Sequence, residues 1–152
     1  MPPTMPDIEA IKSAASERAV RFKLPYAGAL LPREAQALMQ AGARLVDVRT
    51  QAELYWVGRV PGALPVEWNG FPGGQRNPLF LEQLAELVER DEPVMFICRS
   101  GARSHDAATV ATQAGFRECY NVLEGFEGDK DARQHRNSVG GWRVAGLPWI
   151  QG

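Results

Sequence analysis

The sequence has neither the long apolar run nor the excess of charge that would indicate a membrane or nucleic-acid partner. No stretch approaches the roughly 18 consecutive apolar residues of a membrane-spanning helix. The 17 Lys and Arg residues nearly balance the 18 Asp and Glu residues, so the formal net charge is -1. No global field therefore attracts nucleic acid or anionic membranes, and we expect neither as a partner. Any anion site has to come from a local cluster of groups.

Cysteine is also scarce, since Cys98 and Cys119 are the only two in 152 residues. Two cysteines are too few for a disulfide framework or a four-ligand zinc site. Residues 1–23 are interrupted by charges and lack the apolar stretch of a secretory signal. We therefore expect a cytoplasmic location, where a cysteine serves either packing or chemistry.

The chain has the length of one ordinary domain. Hydrophobic residues make up 45% and charged residues 23%, which is the usual mix of a folded domain. Apolar positions at nearly helical spacing over residues 7–23 predict an amphipathic helix, and residues 24–31 read as a connector. We therefore divide the chain into an N-terminal helical extension, residues 1–29, and a main domain, residues 30–152.

Helical and strand patterns alternate through the main domain. Short apolar runs predict strands at residues 45–48, 64–68, 94–97 and 120–123. Helical patterns fall at residues 33–40, 51–56, 79–89 and 104–114, and Pro32 and Gly42 delimit the first of them. Strands alternating with helices imply an α/β fold with a central parallel sheet of about five strands and helices on both faces.

The informative segment follows the predicted strand 94–97. Ligands of parallel sheets bind beyond the carboxyl ends of the strands, which is where Cys98 lies. Gly101 permits a tight turn, and a loop that runs into a helix start directs amide N–H groups at an anion. Arg99 and Arg103 add positive charge, and such surroundings favour a thiolate. A stabilised thiolate is also a weaker nucleophile, so the larger benefit of the loop is electrostatic binding of anions.

The loop Cys98-Arg-Ser-Gly-Ala-Arg-Ser104 resembles the Cys-x-x-Gly-x-Arg-Ser active-site loop of single-domain rhodaneses. Flanking segments resemble the same family in the same order over about residues 30–149. They are Leu45 to Arg49 with Glu53, Val60 to Ala63, Ala107-Ala108, Gly115-Phe116, and Ala145 to Pro148. The resemblance implies a rhodanese-like fold.

The resemblance also implies a sulfurtransferase reaction in two steps. Cys98 would attack a small anionic donor such as thiosulfate and become a persulfide, and an acceptor such as cyanide, a thiol or a small protein would then remove the sulfur. The backbone of the loop would hold the sulfur, with Arg99, Ser100, Gly101, Ala102, Arg103 and Ser104 as the binding residues. No metal and no organic cofactor is expected.

The role of Asp47 and Arg49 does not follow from the reaction, because sulfur exchange needs no acid or base. We expect them to pair structurally beneath the loop. Cys119 begins its predicted strand whereas Cys98 follows one, which places the two thiols too far apart for a disulfide. Cys119 is therefore predicted to be a core residue, and His105 a solvated surface residue.

The sequence departs from the family pattern in two places. Gly58-Arg59 stands where Gly-His is usual, and an insertion, Glu127 to Gly140, separates Gly125-Phe126 from Gly141-Trp142. Because the insertion follows the carboxyl end of a strand, we expect it to form part of the rim of the Cys98 pocket. His135 with Asp129 and Asp131 is a weak metal-site pattern that ordinary loops also show. Trp142 and Trp149 are predicted to pack the C-terminal segment.

Two other functions compete with sulfur transfer. Cysteine phosphatases and arsenate reductases use a similar anion-binding loop with the pattern Cys-x5-Arg, but Ser104 occupies that sixth position and Arg103 comes one residue early. A rhodanese-like module that binds partners without turnover is the second alternative, although such modules commonly lack the cysteine. The sequence leaves open whether the N-terminal helix packs on its own chain, in a monomer, or joins two chains in a homodimer.

Overall fold

The computed structural model describes residues 7–152, and the first six residues of the predicted extension lie outside this range. Helices and strands alternate along most of the described chain. The helices are α1 (Ile8–Arg21), α2 (Pro32–Gln40), α3 (Gln51–Trp56), α4 (Phe80–Leu87) and α5 (Ala102–Gln113), and the strands are β1 (Gly28–Leu30), β2 (Arg44–Asp47), β3 (Leu64–Pro65), β4 (Pro93–Ile97) and β5 (Glu118–Val122). The strands form one parallel sheet in the order β1-β5-β4-β2-β3. The α/β fold is thus confirmed.

The core lies on both faces of the sheet because successive strand residues point in opposite directions. Val46 and Phe96 pack on one face with Leu84 of α4 and with the buried alanines of α5. Leu45 and Met95 pack on the other face with buried residues of α1 and α2. Within the described part of the chain, no helix is long and apolar enough to cross a membrane.

Strand β1 is the element that the sequence pattern missed, since residues 24–31 were predicted to be a connector. Gly28 and Ala29 are poor strand formers, which hides the strand from a pattern search. The structure shows why the glycine is there. A Cβ atom on Gly28 would lie 2.8 Å from the Cβ of Ala15, so α1 packs directly on the backbone of β1. β1 also crosses the predicted domain boundary between residues 29 and 30, and that division stays a prediction.

Several predicted boundaries shift by one to three residues. Helix α5 begins at Ala102 rather than Ser104, because Gly101 already takes the left-handed conformation, with φ +111°, that precedes the helix. Strand β3 covers only Leu64–Pro65, although the amides of Val66 and Trp68 still donate to the carbonyls of Asp47 and Val48 at 3.0 Å. Helix α4 buries Phe80 and Leu84, whereas Leu87 is 40% exposed.

Candidate active site

Cys98 lies where β4 ends and the chain turns into α5. β4 is a central strand, paired with β2 on one side and β5 on the other, so the cysteine follows a well-anchored element. The amide of Gly101 donates a hydrogen bond to the Cys98 Sγ at 3.1 Å, and the Ser104 Oγ lies 3.3 Å from the same sulfur. The thiol therefore has a polar contact from the loop and another from the first turn of α5.

The loop amides and the burial of Cys98 define the surroundings of its sulfur. The sequence predicts that the backbone of residues 99–104 holds the sulfur, and among residues 7–152 the Gly101 amide is the one that donates a hydrogen bond to the Cys98 Sγ. The amides of Ala102, Arg103 and Ser104 have no acceptor among residues 7–152, as is usual at a helix start. Cys98 is also only 1% exposed. Access to the sulfur is therefore narrow, and it lies beneath the loop.

The segment after β5 holds the loop in place. The carbonyl of Cys98 accepts a hydrogen bond from the Phe126 amide at 2.8 Å, and the carbonyl of Arg99 accepts from the amides of Glu127 and Gly128 at 3.0 and 3.2 Å. Gly125 makes this approach possible, because a Cβ atom there would lie 2.6 Å from the carbonyl oxygens of Cys98 and Arg99. The carbonyls of Cys98 and Arg99 are thus bonded to this segment.

Arg103 is held by Glu53 of α3. Its two terminal nitrogens bond the two carboxylate oxygens of Glu53 at 2.7 and 2.8 Å. Burial raises the pKa of the Glu53 carboxyl, but the hydrogen bonds and charge of Arg103, with a further bond from Thr50, outweigh burial and lower it to about 2. The guanidinium of Arg103 therefore keeps its positive charge, as the sequence predicts, but this carboxylate offsets that charge.

Glu53 is a site residue whose partner the sequence did not reveal. It was visible only as part of the family-like segment, and 50 residues separate it from Arg103. Arg99, in contrast, is exposed and has no ion-pair partner in the part of the chain that the structure describes. The other predicted binding residues are distributed around the loop: Ser100 and Gly101 are half-buried, Ala102 is exposed, and Ser104 is buried.

Asp47, the last residue of β2, forms a buried ion pair with Arg49. The Arg49 Nη2 lies 2.8 Å from the Asp47 Oδ2 and also bonds the Gly58 carbonyl at 2.7 Å. The guanidinium of Arg49 stacks on the ring of Phe126 at 4.3 Å. Since Phe126 directly follows Gly125, this pair supports the segment that holds the Cys98 loop.

A surface cavity of about 560 Å³ opens beside the loop. Its lining includes Arg99 and the Arg103–Glu53 ion pair, together with the aromatic side chains of Trp56 and Phe71. Cys98 itself is not part of its lining. Trp56 and Phe71 are each 65% exposed, so the mouth of the cavity combines an unpaired cation with aromatic surface.

The insertion reaches this cavity only through its first residue, Glu127. The remainder folds on itself around Asp131, whose carboxylate accepts from the Arg133 and His135 amides and from the Ser138 hydroxyl. The Ser138 hydroxyl and these amides lower the pKa of Asp131. Among residues 7–152, no group of three or more His, Cys, Asp or Glu side chains is placed to hold a metal ion.

The structure places the remaining predicted residues as follows. Cys119 pairs with Val94 at the far end of the sheet from Cys98, and burial raises the pKa of its thiol to about 11. Trp142 is buried, and Trp149 packs edge-on against Phe126 at 6.3 Å. His105 differs from the prediction of a solvated residue, because its Nδ1 lies 2.7 Å from the Tyr26 hydroxyl.

Asn121 is a further residue that the sequence analysis did not identify. It is buried in β5, and its side chain contacts both Ser104 and Gly101. The sequence did contain a signal, since Asn121 is a polar residue in an otherwise mostly apolar strand, and a buried polar side chain requires hydrogen-bond partners.

The fold and the site together define a class, that of α/β domains with a thiol in a tight loop at the carboxyl end of a central parallel strand. Residues 31–132 match the family model described as a rhodanese-like domain. The chain belongs to the rhodanese-like domain family.

Relatives and solved structures agree with this assignment. An uncharacterised protein of Rickettsia prowazekii is 35% identical over 114 residues, which cover 74% of this chain and 86% of that protein. Thiosulfate sulfurtransferase 18 of Arabidopsis thaliana is 35% identical over 97 residues, 61% of this chain and 71% of the relative.

Among solved structures, Rv0390 from M. tuberculosis superposes with a TM-score of 0.77 at 45% identity and covers 84% of this chain and 99% of its own. The polysulfide-sulfur transferase homodimer from Wolinella succinogenes has a TM-score of 0.57 at 21% identity, over 95% of this chain and 85% of its own. The second likeness concerns the fold alone. The family supports a sulfurtransferase in general terms.

Proposed function

We propose that this protein transfers a sulfane sulfur from a small anionic donor, such as thiosulfate, to a thiophilic acceptor through a persulfide on Cys98. The observation that carries the proposal is the Gly101 amide at 3.1 Å from the Cys98 Sγ. An amide donor at that position stabilises negative charge on the sulfur. Relatives named thiosulfate sulfurtransferase support the same chemistry.

The reaction needs no external oxidant or reductant. The Cys98 thiolate attacks the outer sulfur of thiosulfate, the sulfur–sulfur bond of the donor breaks, and sulfite leaves with the electron pair. A cyanide ion or an acceptor thiolate then attacks the terminal sulfur of the persulfide. The bond between the two sulfurs breaks, and the Cys98 thiolate is restored.

The loop would bind the donor and stabilise the charge that develops. The unpaired Arg99 lies at the cavity and attracts anions. The free amides of Ala102, Arg103 and Ser104 add the positive end of α5. Arg103 would act chiefly by anchoring α5 to Glu53, and Asp47 with Arg49 by supporting the segment that holds the loop.

The structure offers a reason against phosphatase or arsenate-reductase activity. Such an enzyme needs an arginine whose guanidinium is free to bind a tetrahedral oxyanion. Here both terminal nitrogens of Arg103 are bonded to Glu53. The loop instead offers single N–H groups, which suit a single sulfur atom.

A non-catalytic binding module is the second candidate, and the burial of Cys98 favours it. A thiol that is 1% exposed meets a donor only if the donor is small or the loop moves. The two candidates differ in turnover, because a module binds a partner but releases no thiocyanate.

Partners and location are part of the proposal. The donor is a small anion, and the acceptor is cyanide, a small thiol or a small protein that presents a thiol. Both cysteines are unpaired, in agreement with a reducing, cytoplasmic setting. The protein acts as a monomer or a homodimer, which sedimentation analysis distinguishes.

Steady-state kinetics with thiosulfate and cyanide test the proposal. We expect parallel double-reciprocal lines, because a persulfide intermediate separates the two substrates. Cys98→Ser removes the activity, and Cys119→Ser, the matched control in the core, retains it. Converging lines, or thiocyanate formation by Cys98→Ser at the wild-type rate, would overturn the proposal. Absence of turnover with every donor and acceptor tested favours the binding module.

A further inference from the structure

Asn121 contacts the hydroxyl group that lies next to the Cys98 sulfur. It lies in β5, directly beside β4, and is 4% exposed. Its Nδ2 lies 3.2 Å from the Gly101 carbonyl oxygen, and its Oδ1 lies 2.5 Å from the Ser104 Oγ. Ser104 in turn lies 3.3 Å from the Cys98 Sγ. Three side chains therefore form one buried chain of contacts.

The chemistry of these groups fixes the direction of each proton. The Gly101 carbonyl can only accept, so the Asn121 atom facing it is the amino group, and the carbonyl oxygen of Asn121 faces Ser104. An amide oxygen can also only accept, so Ser104 donates its single hydroxyl proton to Asn121. Ser104 then offers only lone pairs to Cys98, and the neutral thiol donates its own proton to the Ser104 Oγ.

This arrangement suits a neutral thiol and opposes a charged sulfur. A thiolate or a persulfide anion has no proton to donate, so its lone pairs would face those of the Ser104 oxygen. The hydroxyl removes this conflict by rotating to donate to the sulfur, and it gives up its bond to Asn121 in doing so. The hydrogen bond from Ser104 to Asn121 therefore stabilises the neutral Cys98 thiol relative to a thiolate or persulfide anion.

We propose that Asn121 is a positioning residue that sets the proton direction of the Ser104 hydroxyl, so that Ser104 accepts from the resting Cys98 thiol and turns to donate once the sulfur is charged. The inference deepens the proposed function, since charged sulfur arises on Cys98 in that reaction. Asn121 acts through Ser104 and does not contact the sulfur.

Several charged or titratable groups surround this chain of contacts, and a test of Asn121 has to distinguish its effect on Cys98 from theirs. They are Tyr26 before β1, Asp47 at the end of β2 and Arg49 after it, Glu53 on α3, Arg99 in the loop, Arg103, His105 and Asp106 on α5, and Glu124 after β5. Tyr26 lies against Asn121, and burial raises the pKa of Tyr26 more than the hydrogen bond with Asn121 lowers it, so Tyr26 stays neutral. His105 bonds the Tyr26 hydroxyl through its Nδ1, so His105→Gln is the control.

The test is the rate at which iodoacetamide alkylates Cys98 as a function of pH, in a Cys119→Ser background. Asn121→Ala frees the Ser104 proton for the sulfur, and we expect the profile to move to lower pH by about one unit, a tenfold change in thiolate fraction. Asn121→Asp has the same size, keeps the acceptor and adds negative charge, so its profile should move to higher pH. Shifts in opposite directions distinguish this role from a general disturbance of the fold, which would shift the pH profiles of both variants in the same direction.

A double-mutant cycle with Ser104→Ala isolates the path through the hydroxyl. In that background Asn121→Ala should leave the profile unmoved. An equal shift with and without the Ser104 hydroxyl, or shifts of the same sign in both Asn121 variants, would overturn the inference. If Asn121→Ala does not fold, the direction of the Asn121→Asp shift decides. Alkylation needs no sulfur donor, so this test stands apart from failure of the proposed transferase activity.

Discussion

At the scale of single residues, the contact between Glu53 and Arg103 distinguishes this site from a simple cluster of positive charge. The carboxylate offsets the charge of one of two arginines beside Cys98 and ties the first turn of α5 to α3. Arg18 and Glu34 form a similar two-nitrogen, two-oxygen contact between α1 and α2, at 2.6 and 3.1 Å. The second pair lies away from the cavity and provides a matched comparison.

Glu53→Gln should lower the free energy of unfolding by about 1–2 kcal/mol, because the charged hydrogen bonds of Arg103 are weakened. It should also accelerate alkylation of Cys98 at neutral pH, since the freed charge of Arg103 favours the thiolate. Urea unfolding and iodoacetamide rates measure the two effects. Glu34→Gln should destabilise similarly and leave the alkylation rate unchanged. Equal alkylation rates in wild type and Glu53→Gln would contradict this role of the pair.

The same ion pair predicts a pH dependence of stability. The pKa of Glu53 falls from 4.5 to about 2 on folding, so the unfolded state binds the proton more readily. The stabilisation is therefore fully present above 4.5 and is lost as the pH falls through about 2. We expect the difference in unfolding free energy between wild type and Glu53→Gln to be constant above 4.5 and to shrink below it. A difference that grows on acidification would contradict the assignment.

At the scale of elements, the approach of the segment after β5 to the Cys98 loop depends on Gly125. This residue has φ +64°, and a Cβ atom there would also collide with the loop carbonyls. Gly42 is a useful comparison, because it has φ +109° and no atom within 4 Å of the position of a Cβ. A comparison of substitutions at Gly125 and Gly42 therefore separates the cost of backbone strain from the cost of steric collision.

Gly42→Ala should destabilise the fold by about 1–2 kcal/mol through strain alone. Gly125→Ala should destabilise the fold clearly more than Gly42→Ala. It should also change the alkylation rate of Cys98, because the new Cβ atom displaces the carbonyls of Cys98 and Arg99. Thermal unfolding and alkylation measure the two effects. Similar losses of stability in the two variants, with no change in alkylation for either, would show that the segment does not hold the loop.

The insertion is expected to act on the donor only through Glu127, whose side chain is at the cavity. Glu127→Gln removes a negative charge beside the approach of an anion and should lower the KM for thiosulfate about twofold to fivefold, the range of an exposed charge interaction. Asp129→Asn removes a charge from the same insertion outside the cavity lining and should leave KM unchanged. An equal change in KM for both variants would point to a general electrostatic effect.

At the scale of the whole molecule, the sequence predicted those helices, strands and turns that depend on the local pattern of residues. The run Val94 to Ile97 indicated a buried central strand, and Gly101 indicated the turn into α5. Strand β1 was not predicted, because Gly28 is required by the close packing of α1 on its backbone and does not fit the residue pattern of a strand. Contacts between distant segments were missed for a related reason. The partners Glu53 with Arg103 and Ser104 with Asn121 meet only after the sheet has brought β2, β4 and β5 side by side.

The burial of Cys98 is the property of the whole fold that bears most on the account. The sequence pattern correctly predicted that the cysteine follows a strand, but it did not predict that the Cys98 side chain is only 1% exposed or that the segment after β5 bonds the carbonyls of Cys98 and Arg99. Transfer therefore requires either a donor small enough to reach a nearly covered sulfur beside Gly101 or a movement of the loop.

The most direct measurement is the mass of the protein after incubation with thiosulfate, followed by peptide mapping. We predict a gain of one sulfur atom, located on the peptide that contains Cys98, and its loss on addition of cyanide with formation of thiocyanate. Cys119→Ser should behave like the wild type, and Cys98→Ser should show no gain. An unchanged mass with thiosulfate and other small sulfane donors, or a sulfur atom found on Cys119, would contradict the account.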